Sequence, residues 1–260
     1  MPLMRRTPAA ALLAAAVLAL SIAAVPLLPA AAGSPGDRLP DLAMAHPRDL
    51  RVQHSGNAIL LRFTTQIANL GAGAFELRGS RPDTAEPGMA VVQRIYDGAG
   101  EHRDRDTAAR MFWSGDGHTH WHVGNLLSSR IDRLPEPSQS PLRTGAKQGF
   151  CFYDTDAFRL SLPGAPSSAV YRTCGTSPSQ LTTTMGLSVG WSDVYPWGIA
   201  YQWIDVTGLP SGRYRLTVAA DPSGWFEEAD ALDNTSWVDI DLRMRRNGGS
   251  VKVVARGPGA

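Results

Sequence analysis

Apolar residues alternate with polar ones at a period of two along much of this chain, and that pattern restricts the fold more than any single motif does. Ile59, Leu61, Phe63, Thr65 and Ile67 stand between mostly polar neighbours, and Phe75 and Leu77 alternate with Glu76 and Arg78. Tyr214, Leu216 and Val218 alternate with Arg213, Arg215 and Thr217, while Val238, Ile240 and Leu242 repeat the scheme against Asp239 and Asp241. An extended backbone sends alternate side chains to opposite faces, so each run predicts a strand with one face in a core. Turn signals such as Asn69-Leu-Gly-Ala-Gly73, Asp97-Gly98 and Pro210-Ser-Gly212 separate the runs, and no long segment sustains apolar spacing at the helical period. The expected fold is all-β, an antiparallel β-sandwich with long loops and little helix. Residues 135–145 and 163–179 are the expected long loops, where function tends to reside, and 257–260 is expected to be a loose end.

The amino-terminal stretch reads differently. Arg5 and Arg6 precede an Ala/Leu/Val run that ends in Pro29-Ala-Ala-Ala-Gly33, the pattern of a secretory signal with small residues at Ala30 and Ala32. Cleavage after Ala32 leaves 228 of 260 residues, a size that fits one large domain. A retained membrane anchor is the alternative, because the apolar run approaches spanning length. The organisation expected is a signal peptide over 1–32, an opening segment over 33–47, a β-sandwich over 48–246 and a tail over 247–260. Loss of the two arginines takes the formal charge from +1 to −1. A near-neutral chain without a basic block gives no reason to propose nucleic acid or an anionic membrane surface as a partner. The chain is therefore expected to be secreted, extracellular or in the cell envelope, with no stable membrane insertion after cleavage.

Half of the six histidines fall within five residues, in Gly117-His-Thr-His-Trp-His122. On a strand, His118, His120 and His122 would project from one side and share one ion. A rise of ~3.3 Å per residue puts the outer Cα atoms ~13 Å apart, near the limit that two imidazoles bonded at ~2 Å can bridge. The donors would then form a T, which suits tetragonal Cu(II) better than the tetrahedral angles of structural zinc, unless a bulge or twist relaxes the strand. The alternative without metal is a solvent-facing His/Thr/Trp strand.

Of 25 basic side chains only Lys147 and Lys252 are lysine. A chain that uses arginine for ordinary surface charge makes each lysine a candidate for amine chemistry, since a guanidinium stays protonated and a buried amine need not. Lys252, in Ser250-Val-Lys-Val-Val254, reads as a solvated terminal residue. Lys147 lies in Gly145-Ala-Lys-Gln-Gly-Phe-Cys-Phe152, at the start of an apolar strand. Cys151 and Cys174 are the only cysteines, and in an exported chain the pair reads as a disulfide rather than a redox or metal site. Closing that loop contributes roughly 3 kcal/mol in the chain-entropy picture.

His118-Thr-His-Trp-His122, Lys147-Gln-Gly-Phe-Cys-Phe-Tyr-Asp154, Gly186-Leu-Ser-Val-Gly-Trp-Ser-Asp-Val-Tyr195 and Gln202-Trp-Ile-Asp-Val-Thr207 follow one another here in an order and approximate spacing that resemble the catalytic domain of the lysyl oxidase family. The resemblance extends from about Leu39 to Leu242. It implies a β-sandwich that holds Cu(II) on His118, His120 and His122, and a lysine tyrosylquinone cofactor formed from Lys147 and Tyr195. The implied reaction is oxidative deamination of primary amines, peptidyl lysine among them, by dioxygen, giving aldehyde, ammonia and hydrogen peroxide. Lysine is required at position 147 because its neutral amine adds to an oxidised tyrosine ring, which arginine does not do.

A general base must remove the substrate α-proton. Asp193 is the expected base, since two residues from Tyr195 on a strand puts it on the same face; Asp154 and Asp205 are the alternatives, and each of the three also reads as a structural acceptor for backbone amides. Animal members carry a further histidine after the metal cluster. Here that stretch is Asn125-Leu-Leu-Ser-Ser129, so no histidine base is available there. Tyr195 has a plainer reading as core filling among Trp191, Trp197, Tyr201 and Trp203.

Glu228-Ala-Asp-Ala-Leu-Asp-Asn234 supplies hard oxygen donors of the type calcium prefers. It resembles the family's calcium loop, with Asp233 where asparagine is usual. The resemblance adds Asp41 and the carbonyl of Leu42 to Glu228, Asp230, Asp233 and Asn234 as ligands. A solvated acidic turn is the alternative. Two other functions use the same residues differently: a hydrolase with zinc on the histidines, which leaves Lys147 and Tyr195 unexplained, and a secreted metal-binding sandwich without turnover.

Overall fold

In a computed structural model of the protein, the described residues are 36–114, 117–135, 141–245 and 248–260. The signal peptide expected over 1–32 lies outside them, as does the centre of the 135–145 loop. Among the described residues there is no helix, and none long and apolar enough to cross a membrane. In chain order the strands are β1 (Asp37–Arg38), β2 (Leu42–Met44), β3 (Arg48–Ser55), β4 (Ala58–Asn69), β5 (Phe75–Ser80), β6 (Gly88–Asp97), β7 (His102–Trp113), β8 (Trp121–Gly124) and β9 (Leu127–Arg133). There follow β10 (Arg143–Thr144), β11 (Gly149–Phe150), β12 (Asp156–Ala157), β13 (Thr182–Leu187), β14 (Trp191–Tyr195), β15 (Trp203–Asp205), β16 (Gly212–Ala220), β17 (Thr235–Arg245) and β18 (Gly248–Arg256).

The pairings are antiparallel, and they build three sheets. One runs β11-β8-β7-β6-β5-β13 with β1 beside β6; a second runs β10-β9-β16-β17-β18; a third runs β12-β14-β4-β15, with β2 and β3 also on β4. The strongest alternating runs became β4, β5, β16 and β17, and their apolar faces meet in one cluster. Leu61 and Phe63 of β4, Phe75 and Leu77 of β5, Leu216 of β16 and Ile240 of β17 are all buried in it. This is the all-β, antiparallel layered architecture expected from period-two patterning.

Three expectations are corrected. The opening segment, whose sequence has little periodic structure, contributes β1 and β2, and Leu42, Ala43 and Met44 are fully buried: β2 pairs edge to edge with β4 and packs against β16 and β17. The carboxy-terminal stretch forms β18 on β17, with Lys252 exposed opposite Asp241. The last residues are tied down rather than loose: the Gly257 amide donates to Trp237 O at 3.0 Å and the Ala260 amide to Met44 O at 3.1 Å. Residues 163–179 are irregular, as expected.

Candidate functional site

The histidine segment is not a straight strand. Only His122 lies in β8; His118 and His120 belong to the connection from β7, where the Ser114 amide donates to His120 O at 3.1 Å and Gly117 takes a left-handed φ of 89°. Bending the backbone gathers the rings instead of spreading them. The metal-binding nitrogens of His118, His120 and His122 lie within 4.8 Å of one another, and His120 Nε2 is 3.0 Å from His122 Nε2. Nitrogens this close can share one ion at bonds of ~2 Å. The straight strand behind the expected T-shaped donor set is therefore absent, and nitrogen spacings this short suit either a T or a tetrahedral arrangement. His122 is buried, while His118 and His120 are half-buried at the mouth.

Lys147 precedes β11 and is held by its neighbours: the Gly145 amide donates to Ser129 O at 2.8 Å and the Ala146 amide to Trp203 O at 3.0 Å. Its Nζ lies 5.3 Å from the centre of the Phe150 ring and 5.9 Å from that of Tyr195. Tyr195 ends β14, paired with Thr65 of β4, and its hydroxyl donates to Cys151 O at 3.0 Å. Phe150 packs edge-on against the Tyr195 ring at 5.3 Å. Burial pushes the Tyr195 hydroxyl well above its ordinary pKa, and the Asp193 carboxylate close by adds to the rise. The histidines on the β8-β7 side, Lys147 just ahead of β11, and Asp193 and Tyr195 on β14 line one cleft of about 220 Å³.

The carboxylates separate by environment. Asp154 accepts bonds from the Val170, Tyr171 and Ser188 amides and from Ser188 Oγ, at 2.7–3.1 Å, which fills its lone pairs and pins the long loop. Asp205 accepts from the Thr207 amide at 2.8 Å, and hydrogen bonding from Thr207 holds its pKa below the usual range. Asp193 is the one of the three in the cleft. Its Oδ1 accepts from Thr155 Oγ1 at 2.9 Å, its Oδ2 is buried without a hydrogen bond, and burial raises its pKa to about 7. Cys151 of the expected disulfide also lines the cleft, as do Tyr153, Thr155 and Ile199, which the sequence did not single out. The period of two running from Cys151 through Tyr153 to Thr155 was the available signal. Cys151 and Cys174 form the expected disulfide.

The lysyl oxidase family profile matches residues 97–251, more than half of the chain and the whole of this cleft. The chain belongs to the lysyl oxidase family. It is 28% identical to protein-lysine 6-oxidase of Gallus gallus over 190 residues, which are 73% of this chain and 35% of the relative. It is 31% identical to protein-lysine 6-oxidase of Homo sapiens over 123 residues, 47% of this chain and 26% of that protein. Lysyl oxidase homolog 3 of Homo sapiens is 29% identical over 180 residues, 69% of this chain and 18% of the relative. The matches therefore span about a third or less of each relative's length.

A second feature of this lysyl oxidase family chain lies away from the cleft, where β2 meets the 228–234 loop. The Leu42 amide donates to Glu228 Oε2 at 2.9 Å, Asn234 Nδ2 donates to Glu228 Oε1 at 2.6 Å, and the Ala229 amide donates to Pro40 O at 2.8 Å. Oδ1 of Asp41, of Asp233 and of Asn234 are each buried without a hydrogen bond. Burial raises the pKa of Asp41, with repulsion from Asp233 and Asp230 adding to it, and burial lifts Glu228 to about 7. Carboxylates this close and this dry lack a counter-charge.

Proposed function

We propose that this chain is an exported copper-dependent amine oxidase that converts primary amines, peptidyl lysine among them, to aldehydes with release of ammonia and hydrogen peroxide. The observation that carries the reading is the placement of Lys147 Nζ 5.9 Å from the centre of the Tyr195 ring, in the cleft that the three imidazoles also line. A structural zinc site uses neither residue.

His118, His120 and His122 fit a copper ion as neutral nitrogen donors already drawn together. Bound copper would supply the redox chemistry that, with dioxygen, oxidises the Tyr195 ring to a quinone able to accept electrons from an amine. The chain's own residues do the rest. Lys147, buried in the cleft, presents its amine beside the ring it would join. Phe150 and the Cys151 carbonyl orient the phenol. Asp193, held by Thr155 through one oxygen, keeps the other as an acceptor for the substrate α-proton, and burial places its pKa where a base works at neutral pH. Asp41, Leu42, Glu228, Asp230, Asp233 and Asn234 would hold calcium, whose charge answers the unpartnered oxygens there. The signal peptide over 1–32 and a catalytic sandwich that takes in β1, β2 and β18 beyond the expected 48–246 belong to the same reading.

Loading the copper-free protein with Cu(II) in air tests it. Peptide mapping should find Lys147 crosslinked to Tyr195, a visible absorption band should appear, and a simple alkylamine should then release peroxide. Peroxide release by Lys147→Arg, or a copper-loaded protein with no crosslink, would overturn the assignment.

A further inference from the structure

The Cys151–Cys174 disulfide joins the residue that follows β11, itself paired with the His122 strand β8 through Gly149 and Phe150, to a loop without sheet pairing, and each cysteine holds a different part of the cleft through its backbone carbonyl. Cys151 O accepts the Tyr195 hydroxyl at 3.0 Å. Cys174 O accepts the amide of Trp121 at 3.2 Å, and Trp121 is the residue between His120 and His122. The indole of Trp121 is fastened to the same loop, its Nε1 donating to Ser177 O at 3.0 Å. Arg81 closes the arrangement from outside: its guanidinium lies 4.8 Å from the centre of the Trp121 ring and donates to the carbonyls of Pro178 and Gln180. Residues 158–181 contain no strand, so no ladder fixes Cys174. The covalent bond does, with the two Cα atoms 5.7 Å apart.

We propose that this disulfide is a positioning device for cofactor formation. By keeping the Cys151 and Cys174 carbonyls at a fixed separation, it sets the distance between the Tyr195 phenol and the imidazole-bearing segment. The inference rests on the oxidase reading above. Chemistry between groups of one chain depends steeply on placement, a displacement of ~1 Å costing on the order of 100-fold in rate. Three histidines within five residues can gather an ion without help from Cys174. Bringing the phenol to that ion is a longer-range requirement: the two-residue β11–β8 pairing ties Phe150 to the strand of His122, and the disulfide braces the Cys151 carbonyl against the loop that holds Trp121.

The test is the double variant Cys151→Ala/Cys174→Ala, which leaves no thiol to compete for metal. Copper stoichiometry and the Cu(II) paramagnetic resonance spectrum are read first, then the rate at which the Lys147–Tyr195 crosslinked peptide appears in air, and separately amide hydrogen exchange of the copper-free protein. The variant should keep one Cu(II) per chain and form the crosslink about tenfold or more slowly. Exchange should rise over 118–122 and 149–153 while β4 stays protected. Crosslinking at the wild-type rate would overturn the proposal, as would a uniform rise in exchange that includes β4, because that is the signature of general destabilisation. Should the variant not fold, native copper-free wild-type protein reduced with a phosphine, alkylated at both thiols and freed of reductant before Cu(II) is added gives the same comparison. Wild-type protein that takes up copper and never crosslinks refutes the oxidase reading instead; exchange then still decides whether the disulfide couples the two segments.

Discussion

Thr155 donates its hydroxyl to Oδ1 of Asp193 at 2.9 Å, so the carboxylate is fixed by one oxygen while the other stays buried and unpartnered. Burial is the largest influence on Asp193, raising its pKa to about 7, and the nearby Tyr195 hydroxyl and then the Thr155 bond oppose the rise. Amine oxidation should therefore increase with pH through about 7 as the base loses its proton, and Asp193→Asn should lower kcat by roughly 10²–10⁴-fold. Thr155→Val removes an opposing influence and should move that limb to higher pH. The measurement is peroxide release against pH for the three proteins; an unshifted profile in Thr155→Val would separate the limb from Asp193. The same shift bears on stability. A carboxyl whose folded pKa exceeds its unfolded value of 3.8 stabilises the fold fully below that value and loses the contribution as pH rises through about 7. Asp193→Asn should flatten the fall in melting temperature across that window.

Gly149 lies against the metal-binding wall. A Cβ there would stand 2.7 Å from His122 Nδ1 and 2.7 Å from Phe112 Cζ, closer than atoms tolerate. Because β11 pairs with β8 at Gly149 and Gly124, the backbone cannot step away without breaking the ladder that carries His122. Gly149→Ala should weaken Cu(II) binding by about 10–100-fold, the range seen when a ligand's support is disturbed. Titration against a competing chelator reads this directly. Gly98→Ala, where a Cβ makes only ordinary contact with Arg38 at 3.8 Å and the backbone is not left-handed, is the control for general effects of losing a glycine.

How far these relationships could be read beforehand depends on range. Alternation along Ile59 to Ile67 specifies a strand and its buried face because both are local consequences of an extended backbone. His118 and His120 look like the start of the same kind of strand, yet the bond from Ser114 to His120 and the left-handed Gly117 turn the chain there. Alternation alone does not distinguish a strand from a bent connection that happens to alternate. The meeting of Lys147 with Tyr195 is further still from local pattern, since β11 and β14 lie in different sheets. Only the resemblance carried by four ordered motifs anticipated it. The burial of β2 was missed because Leu-Ala-Met carries no period at all.

Asp154 makes a contrasting prediction to Asp193. Its carboxylate accepts four hydrogen bonds that tie the segment leading into β12 to Val170, Tyr171 and Ser188. Asp154→Ala would leave those buried donors unmet, a loss of about 3–5 kcal/mol of stability. Denaturant midpoints should fall accordingly. In whatever fraction remains folded, the pH dependence of turnover should match wild type. A displaced profile would return Asp154 to contention as the base.

The cation site makes the last prediction. Unpartnered buried oxygens on Asp41, Asp233 and Asn234 disfavour the folded state in the absence of a counter-ion, because buried charge without a partner is costly. Calcium that binds only the folded chain should stabilise it by about 2.7 kcal/mol at a hundredfold excess over its dissociation constant. For a chain of this size that corresponds to a rise in melting temperature of roughly 5–10 °C, reversed by a chelator selective for calcium. Asp41→Asn/Asp233→Asn removes the repulsion as well as the charge; its copper-free, calcium-free form should melt no lower than wild type, and calcium should no longer raise its melting temperature. An equal response to calcium in wild type and variant would place the ion elsewhere. Because Asp41 precedes β2 and Asp233 precedes β17, the stabilisation should appear as slower amide exchange at the junction of those two strands.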